Sequence, residues 1–271
     1  MILSRRDAFL QDHLARLRGL TAHGNRKVHV HQLFTGLLLS FYDPLARSLR
    51  LIEDHGNFDG KLDLPRLARS TTSDALATLD PVCLEPLIKD LCRRAPHLAQ
   101  ADADLLMIAR RIIAADGTYF TTIVDAAWAL HHTKSNGNKQ AQVRANVQMD
   151  CATWTPQVIT VSGDDGCSEA QAFTPDLLTG VLYVFDRNFL NFAFLNEVLE
   201  RDNDFVLRIK SNAPVAKVLD TLPLSIADVE AGVIADEIVE LTGRDAPTGP
   251  LRRVTIVTSD RNGKEVTVLP P

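Results

Sequence analysis

The sequence predicts a mixed α/β protein in three zones, on three observations. Apolar residues recur at helical spacing through the first hundred positions. Beyond about residue 105, compact apolar runs alternate with amphipathic stretches in the order three strands, helix, strand, helix, strand. From residue 213 the chain turns acidic and strand-like and carries a hairpin signal. The zones are a helical region at 1–104, a mixed sheet flanked by helices at 105–212, and a β-rich segment at 213–271.

In the helical region, Phe9, Leu14 and Leu17 share one face. Val30, Leu33, Phe34, Leu37, Leu38 and Phe41 follow the i, i+3, i+4, i+7 spacing of a core-facing helix. Asp43-Pro44 opens another helix carrying Leu45, Leu49 and Ile52, and residues 55–60 form a loop by composition. Pro65 suits a first helical turn, and the Ser70-Thr71-Thr72-Ser73 cluster breaks and re-caps the chain before Leu76. Two short helices around such a turn are either a structural hairpin or a helix-turn-helix that reads a DNA groove. Asp80-Pro81 opens a helix through Leu84, Leu87, Ile88 and Leu91 that ends at Arg93-Arg94.

In the middle zone, residues 111–115 read as a buried strand that stops at a polar turn, Asp116-Gly117-Thr118. Residues 131–139 form a polar loop, 142–151 and 156–161 are two further strands, and 163–166 is a turn. Residues 168–178 are helical, 181–185 form a buried strand running into Asp186, 190–200 form an amphipathic helix, and 205–210 form a strand. In the last zone, residues 213–249 hold Lys217 and Arg244 against seven Asp/Glu, a net of −5. Two strands at 254–258 and 265–269 flank Asn262-Gly263, a hairpin turn.

At 271 residues, 45% hydrophobic and 23% charged, the composition excludes a disordered, collagen-like or disulfide-stapled chain. Cys83, Cys92, Cys151 and Cys167 form neither a CxxC pair nor a zinc spacing, which suits reduced thiols in a cytoplasmic protein. No apolar run approaches the roughly 20 residues that span a bilayer, and no secretion signal is read at the N-terminus, so no membrane partner is expected. The net charge of −5 conceals an asymmetry: residues 1–50 carry +5 and the remainder −10. Arg16, Arg18, Arg26 and Lys27 lie in that basic stretch, with four of the eight histidines. A basic arm on an acidic body points to a polyanion such as DNA; a solvated helix face with scattered charge is the plainer alternative.

Asp116 and Asp186 each follow a buried strand, and in sheets of this kind catalytic groups collect beyond the carboxyl ends of strands. If the two strands are neighbours, both carboxylates face one cleft. Carboxylates held close repel unless a cation lies between them, and the ion suited to all-oxygen ligands and phosphate substrates is Mg²⁺ or Mn²⁺. Two such ions can clamp an in-line phosphoryl transfer. The alternative is that each aspartate merely caps the turn that follows it.

Residues 112–118, Ile-Ile-Ala-Ala-Asp-Gly-Thr, resemble the "DGT" block of the DDE transposases of bacterial insertion sequences, insertion-sequence-four type. Val184-Phe185-Asp186-Arg187-Asn188-Phe189 is similar to their second block, usually Asp-Arg-Gly-Tyr, and residues 205–212 are similar to the strand after it. Residues 141–161 look like the two-strand segment between the blocks, and residues 70–76 like part of the helical N-terminal region; the ordered set covers roughly residues 1–270. The resemblance implies a ribonuclease-H-like core, an α-helical DNA-binding and dimerisation region before it, a β-rich insertion after its fifth strand, and cut-and-paste DNA chemistry. Asp116 and Asp186 would be the first two acids of a triad holding Mg²⁺ or Mn²⁺. Arg16, Arg18, Arg26, Lys27, Arg187, Arg208 and Lys210 would contact the terminal repeats and target DNA at the bacterial nucleoid, with a homodimer left open.

Two features depart from the pattern. The second block reads Arg-Asn-Phe, and the family's third carboxylate, in a helix patterned Tyr-x2-Arg-x3-Glu-x6-Lys, has no counterpart. Glu237, Glu240 and Glu265 fall within the expected insertion and are poor substitutes. The expectation is therefore a transposase copy cut short before its third ligand and catalytically incompetent. The alternative is a non-enzymatic fragment that binds element ends or inhibits the full-length enzyme. An unrelated ribonuclease-H-like nuclease would need a local third carboxylate that the sequence does not identify.

Overall fold

The computed structural model describes residues 3–20, 28–42, 53, 68–94, 103–108, 110–121, 130–133, 139–162, 168–209, 215–259 and 265–268. They fall into two compact units, 1–88 with 119–144, and 89–118 with 145–271.

The first unit is largely helical, as the periodicity predicts. Helix α1 (Leu3–Arg18) buries Leu14 and Leu17, and α2 (Val30–Tyr42) buries Leu33. Val28 and Leu33 form a small core with Leu37, Ala75, Leu76 and Leu79. The Ser/Thr cluster does not break the chain: Arg69–Thr78 is one continuous helix, α3. Thr72 turns inward instead, its Oγ1 donating to the Ala68 carbonyl at 3.1 Å with the residue fully buried. The expected first helix of a helix-turn-helix, with Pro65, lies outside the described residues, as do the helix expected from Asp43 and the loop at 55–60. Asp80 accepts the Val82 N–H and starts a 3-10 turn (Pro81–Leu84) that leads into α4 (Glu85–Arg94).

The second unit carries most of a six-stranded mixed sheet. After α5 (Ala103–Leu106) come β1 (Arg111–Thr121), β2 (Leu130–Thr133), β3 (Lys139–Asp150), β4 (Thr155–Ser162), β5 (Val181–Phe185) and β6 (Asp204–Leu207). The order is β2-β3-β1-β5-β6, with β4 also paired to β3; β1, β5 and β6 are parallel, and β2 is antiparallel to β3. Helices α6 (Glu169–Phe173) and α7 (Phe192–Glu200) supply Ala170, Phe173, Phe194, Leu195 and Val198 to the core, against Ile113, Ala115, Tyr183, Phe185 and Leu207 from the strands. This mixed α/β architecture is compatible with the ribonuclease-H-like core that the resemblance implies.

Three expectations are corrected. Strand β1 continues through Asp116-Gly117-Thr118 to Thr121, because Thr118, Tyr119, Phe120 and Thr121 all favour extended backbone. His131, His132 and Thr133 form strand rather than loop, paired with Ala141, Gln140 and Lys139 respectively. The helix expected over 168–178 is only α6, followed by a 3-10 turn (Thr174–Asp176) where Pro175 cannot donate a backbone hydrogen bond. The turn at 163–166 lies outside the described residues.

Strand β3 inverts the usual pattern: its buried face is polar. Arg144, Asn146, Gln148 and Asp150 alternate along it at 1–7% exposure, while Val143, Ala145, Val147 and Met149 are only half-buried. Buried polar groups require partners, and Gln148 and Asp150 have them. Gln148 Nε2 donates to the Asp176 carbonyl at 2.9 Å, and its Oε1 accepts the Tyr183 hydroxyl at 2.8 Å. That hydroxyl accepts the Leu178 N–H at 2.7 Å, so one buried phenol joins β3, β5 and the segment between α6 and β5. Asp150 Oδ1 takes the Ala152 and Thr153 N–H groups, and Oδ2 takes Arg111 Nε at 2.9 Å. The resulting hairpin turn holds Trp154 exposed at φ 56°.

The C-terminal zone forms a separate antiparallel sheet, as its composition predicts. Strands β7 (Val215–Thr221), β8 (Val233–Leu241), β9 (Leu251–Ser259) and β10 (Glu265–Val268) lie in the order β10-β9-β8-β7, with α8 (Ile226–Glu230) between β7 and β8. The expected β9–β10 hairpin pairs Val266 with Thr258; Asn262-Gly263 lies outside the described residues. Arg252 grips Asp236 in a two-pronged pair, which holds the Asp236 carboxyl below its ordinary range.

Burial pushes the Tyr183 phenol up to about 12 from an ordinary value of 10.0. Tyrosine held protonated by the fold stabilises it fully below pH 10 and progressively less as the pH rises to about 12. Tyr183→Phe leaves Gln148 Oε1 and the Leu178 N–H without this partner. Urea unfolding at neutral pH is expected to show a loss of about 1–3 kcal/mol, and a smaller alkaline decline than in the parent.

Candidate active site at the parallel strand ends

The parallel strands β5 and β6 end side by side, next to the middle of β1, where its parallel pairing stops. Ala115 pairs with Phe185, and Phe185 pairs with Leu207. One residue further along each strand stand Asp116, Asp186 and Arg208, all exposed. Ala115, Phe185 and Leu207 are buried, so strand alternation turns the next residues away from the core that receives them. Adjacent strands lie about 4.8 Å apart, which puts two in-register carboxylates within the span that one divalent ion can bridge.

Both aspartates are held through one oxygen only. Asp116 Oδ1 accepts the Gly117 N–H at 2.9 Å, and Asp186 Oδ1 accepts the Asn188 N–H at 2.8 Å. Asp186 thus caps a 3-10 turn (Arg187–Phe189), as the capping alternative expects. Phe189 anchors the turn from below: it is 1% exposed, with its ring 5.0 Å from Phe185 and 5.3 Å from Phe173. The aromatic at the end of this block is therefore a core residue. Oδ2 of Asp116 and Oδ2 of Asp186 accept no hydrogen bond among the described residues. Capping and cation binding are compatible here, because each uses a different oxygen.

A further acid, which the sequence reading did not single out, lies against Gly117, the residue after Asp116. Glu169 is the first residue of α6, whose start is fixed by a capping box: Ser168 Oγ accepts the Gln171 N–H and Gln171 Oε1 accepts the Ser168 N–H. The Glu169 side chain lies across Gly117, filling the space that a Cβ there would occupy. The Ser-x-x-Gln spacing at 168–171 is the signal that could have placed it at a helix start. Among the described residues, no three His, Cys, Asp or Glu side chains are grouped to hold a metal ion. Glu237 is paired with Arg253, and Glu237, Glu240 and Glu265 stand on the four-stranded sheet rather than in the strand-end row.

The expected DNA-contacting cations divide into three groups. Arg187 and Arg208 are exposed at the strand ends. Arg16 and Arg18 are exposed in the last turn of α1, where positive charge also complements the helix dipole. Arg26, Lys27 and Lys210 lie outside the described residues. Among the described residues Cys83, Cys92 and Cys151 form no disulfide, and no helix is long and apolar enough to cross a membrane.

No protein-family model matches the chain, and no curated protein matches it. Among solved structures it is similar to piggyBac transposase in a synaptic complex with hairpin DNA, at a TM-score of 0.41 and 12% identity. The match covers 97% of this chain and 56% of that one, so the chain spans a little over half of that transposase's length.

The two roles of Asp186 separate by substitution. Asp186→Ala removes the cap and is expected to lower stability by about 0.5–2 kcal/mol in thermal or urea unfolding. Asp186→Asn keeps a side-chain oxygen that caps about as well, so its stability should stay within roughly 0.5 kcal/mol of the parent while the charge is lost.

Proposed function

We propose that the chain is a DNA-binding protein of transposase type whose Asp116–Asp186 pair holds a divalent cation for phosphodiester cleavage and joining. One observation carries this reading: two aspartates, each held through one oxygen among the described residues, and an arginine follow directly on the last paired residues of three adjacent parallel strands. The donor set suits Mg²⁺ or Mn²⁺ because it offers only hard oxygens and leaves room for water and phosphate. Asp116 and Asp186 would hold the ion, and when bound it would stabilise charge on the phosphoryl oxygens. Arg208, beside Asp186, offers a guanidinium to a neighbouring phosphate, and Arg187 a second one just beyond. Arg16, Arg18, Arg26 and Lys27 would engage the duplex and steer it by charge.

A second reading, DNA binding without cleavage, is favoured by the lack of any three-carboxylate group among the described residues. Gel shift on duplex DNA and nicking of a supercoiled plasmid, each with and without Mn²⁺, distinguish the two. Binding with metal-dependent nicking supports the enzyme, and metal-indifferent binding with no nicking supports the binder. Binding of neither DNA nor metal overturns both.

Two outcomes are expected in detail. Mn²⁺ titration followed by water-proton relaxation should show weakening of about tenfold or more in Asp116→Asn and in Asp186→Asn. Arg208→Ala should flatten the dependence of log affinity on log salt by about 0.9 for the one duplex phosphate contact it removes, and charge reversal at Arg16 should do at least as much.

A further inference from the structure

We propose that Glu169 is a positioning residue of the Asp116–Asp186 site and that residue 117 is glycine in order to receive it. This rests on the reading that those aspartates bind a divalent cation. A Cβ built on Gly117 would lie 2.9 Å from Glu169 Cδ and 3.2 Å from Cγ, and closer still to Oε1. Real Cβ atoms do not sit so near, so the glutamate occupies the volume that any larger residue would need. Gly117 shows no left-handed backbone, and it lies inside a strand, where glycine weakens pairing. Close approach of a side chain is therefore the physical reason on hand for glycine at this position.

The approach is directed from both sides of one peptide. Asp116 Oδ1 accepts the Gly117 N–H, which fixes one carboxylate oxygen. Glu169 lies over the Cα of the same residue, delivered by a helix start that its capping box and the buried Ala170 and Phe173 hold in place. A shift of the strand at 117 presses on the Glu169 side chain, so in this proposal the Asp116 carboxylate takes its orientation in part from that contact. Glu169 acts here by shape; the ion's ligands remain the two aspartates.

The test is a double-substitution cycle read by Mn²⁺ affinity and by urea unfolding. Gly117→Ala collides with a flexible side-chain end, so it should leave folding intact, swing Glu169 aside and weaken Mn²⁺ binding several-fold. In a Glu169→Ala background the space is vacant, and adding Gly117→Ala should then change Mn²⁺ affinity little. Glu169→Ala alone should also weaken binding, and Glu169→Gln, which keeps the shape, should restore it. Equal effects of Gly117→Ala in both backgrounds would overturn the inference. So would a Glu169→Gln chain as weak as Glu169→Ala, since charge rather than shape would then be responsible. A parent chain that binds no Mn²⁺ fails differently: it removes the metal-binding reading itself, and this inference with it.

Discussion

The parallel register of β1, β5 and β6 is the constraint on which the candidate site depends. Side chains alternate across a strand with a period of two, so a slip of one residue exchanges the faces of an entire strand. Slipping β5 against β1 would drive Asp186 toward Phe173 and Phe194 and expel Tyr183 and Phe185 into water. The cost of burying an unpaired carboxylate and exposing two aromatic rings makes that alternative inaccessible. The row Asp116–Asp186–Arg208 is thus a by-product of core packing: Ala115, Phe185 and Leu207 choose their places, and the polar residues beyond them follow.

The polar face of β3 reinforces the same register from the other flank. An apolar face tolerates sliding, because one methyl contact resembles another. Gln148, by contrast, meets the Asp176 carbonyl and the Tyr183 hydroxyl only in one alignment, and a misaligned amide would be left buried without partners. The Arg111–Asp150 pair does similar work where the chain enters β1 and leaves β3, although Arg111 is half exposed and contributes little energy of its own. Here polar burial supplies uniqueness, while the aromatic cluster of Phe173, Phe185, Phe189 and Phe194 supplies most of the cohesion.

Periodicity made the helices α1, α2 and α7 and the strands β5 and β9 legible, because each has one face or run whose apolar residues dominate. The residues it misread have competing local signals. Asp116-Gly117-Thr118 has the composition of a turn, yet Tyr119, Phe120 and neighbouring pairing continue the strand. Ser70, Thr71 and Ser73 favour caps in isolation, yet a hydroxyl that returns its hydrogen bond to the preceding turn can remain helical, as Thr72 shows. Gln142 to Asp150 alternates clearly, but the alternation alone did not say that the polar half would face inward. Asp116 and Asp186 were readable from their strand ends. Glu169 was not, because its nearness to Gly117 joins positions with no periodic relation.

The same strand order sets a timetable for the nascent chain. Strand β3 emerges soon after β1, but Ile113 must wait 70 residues for Tyr183, its parallel partner. At synthesis rates of about 5–20 residues per second, that edge of β1 stays unmatched for roughly 4–14 seconds. An apolar run such as Ile112-Ile113-Ala114-Ala115 with an open ladder is a template for pairing with another chain. Asp116 ends that run with a charge at the exposed boundary, and flanking charges of this kind act as gatekeepers against aggregation. The carboxylate proposed to hold a cation in the folded protein would, earlier in the molecule's life, keep ribosome-bound neighbours apart.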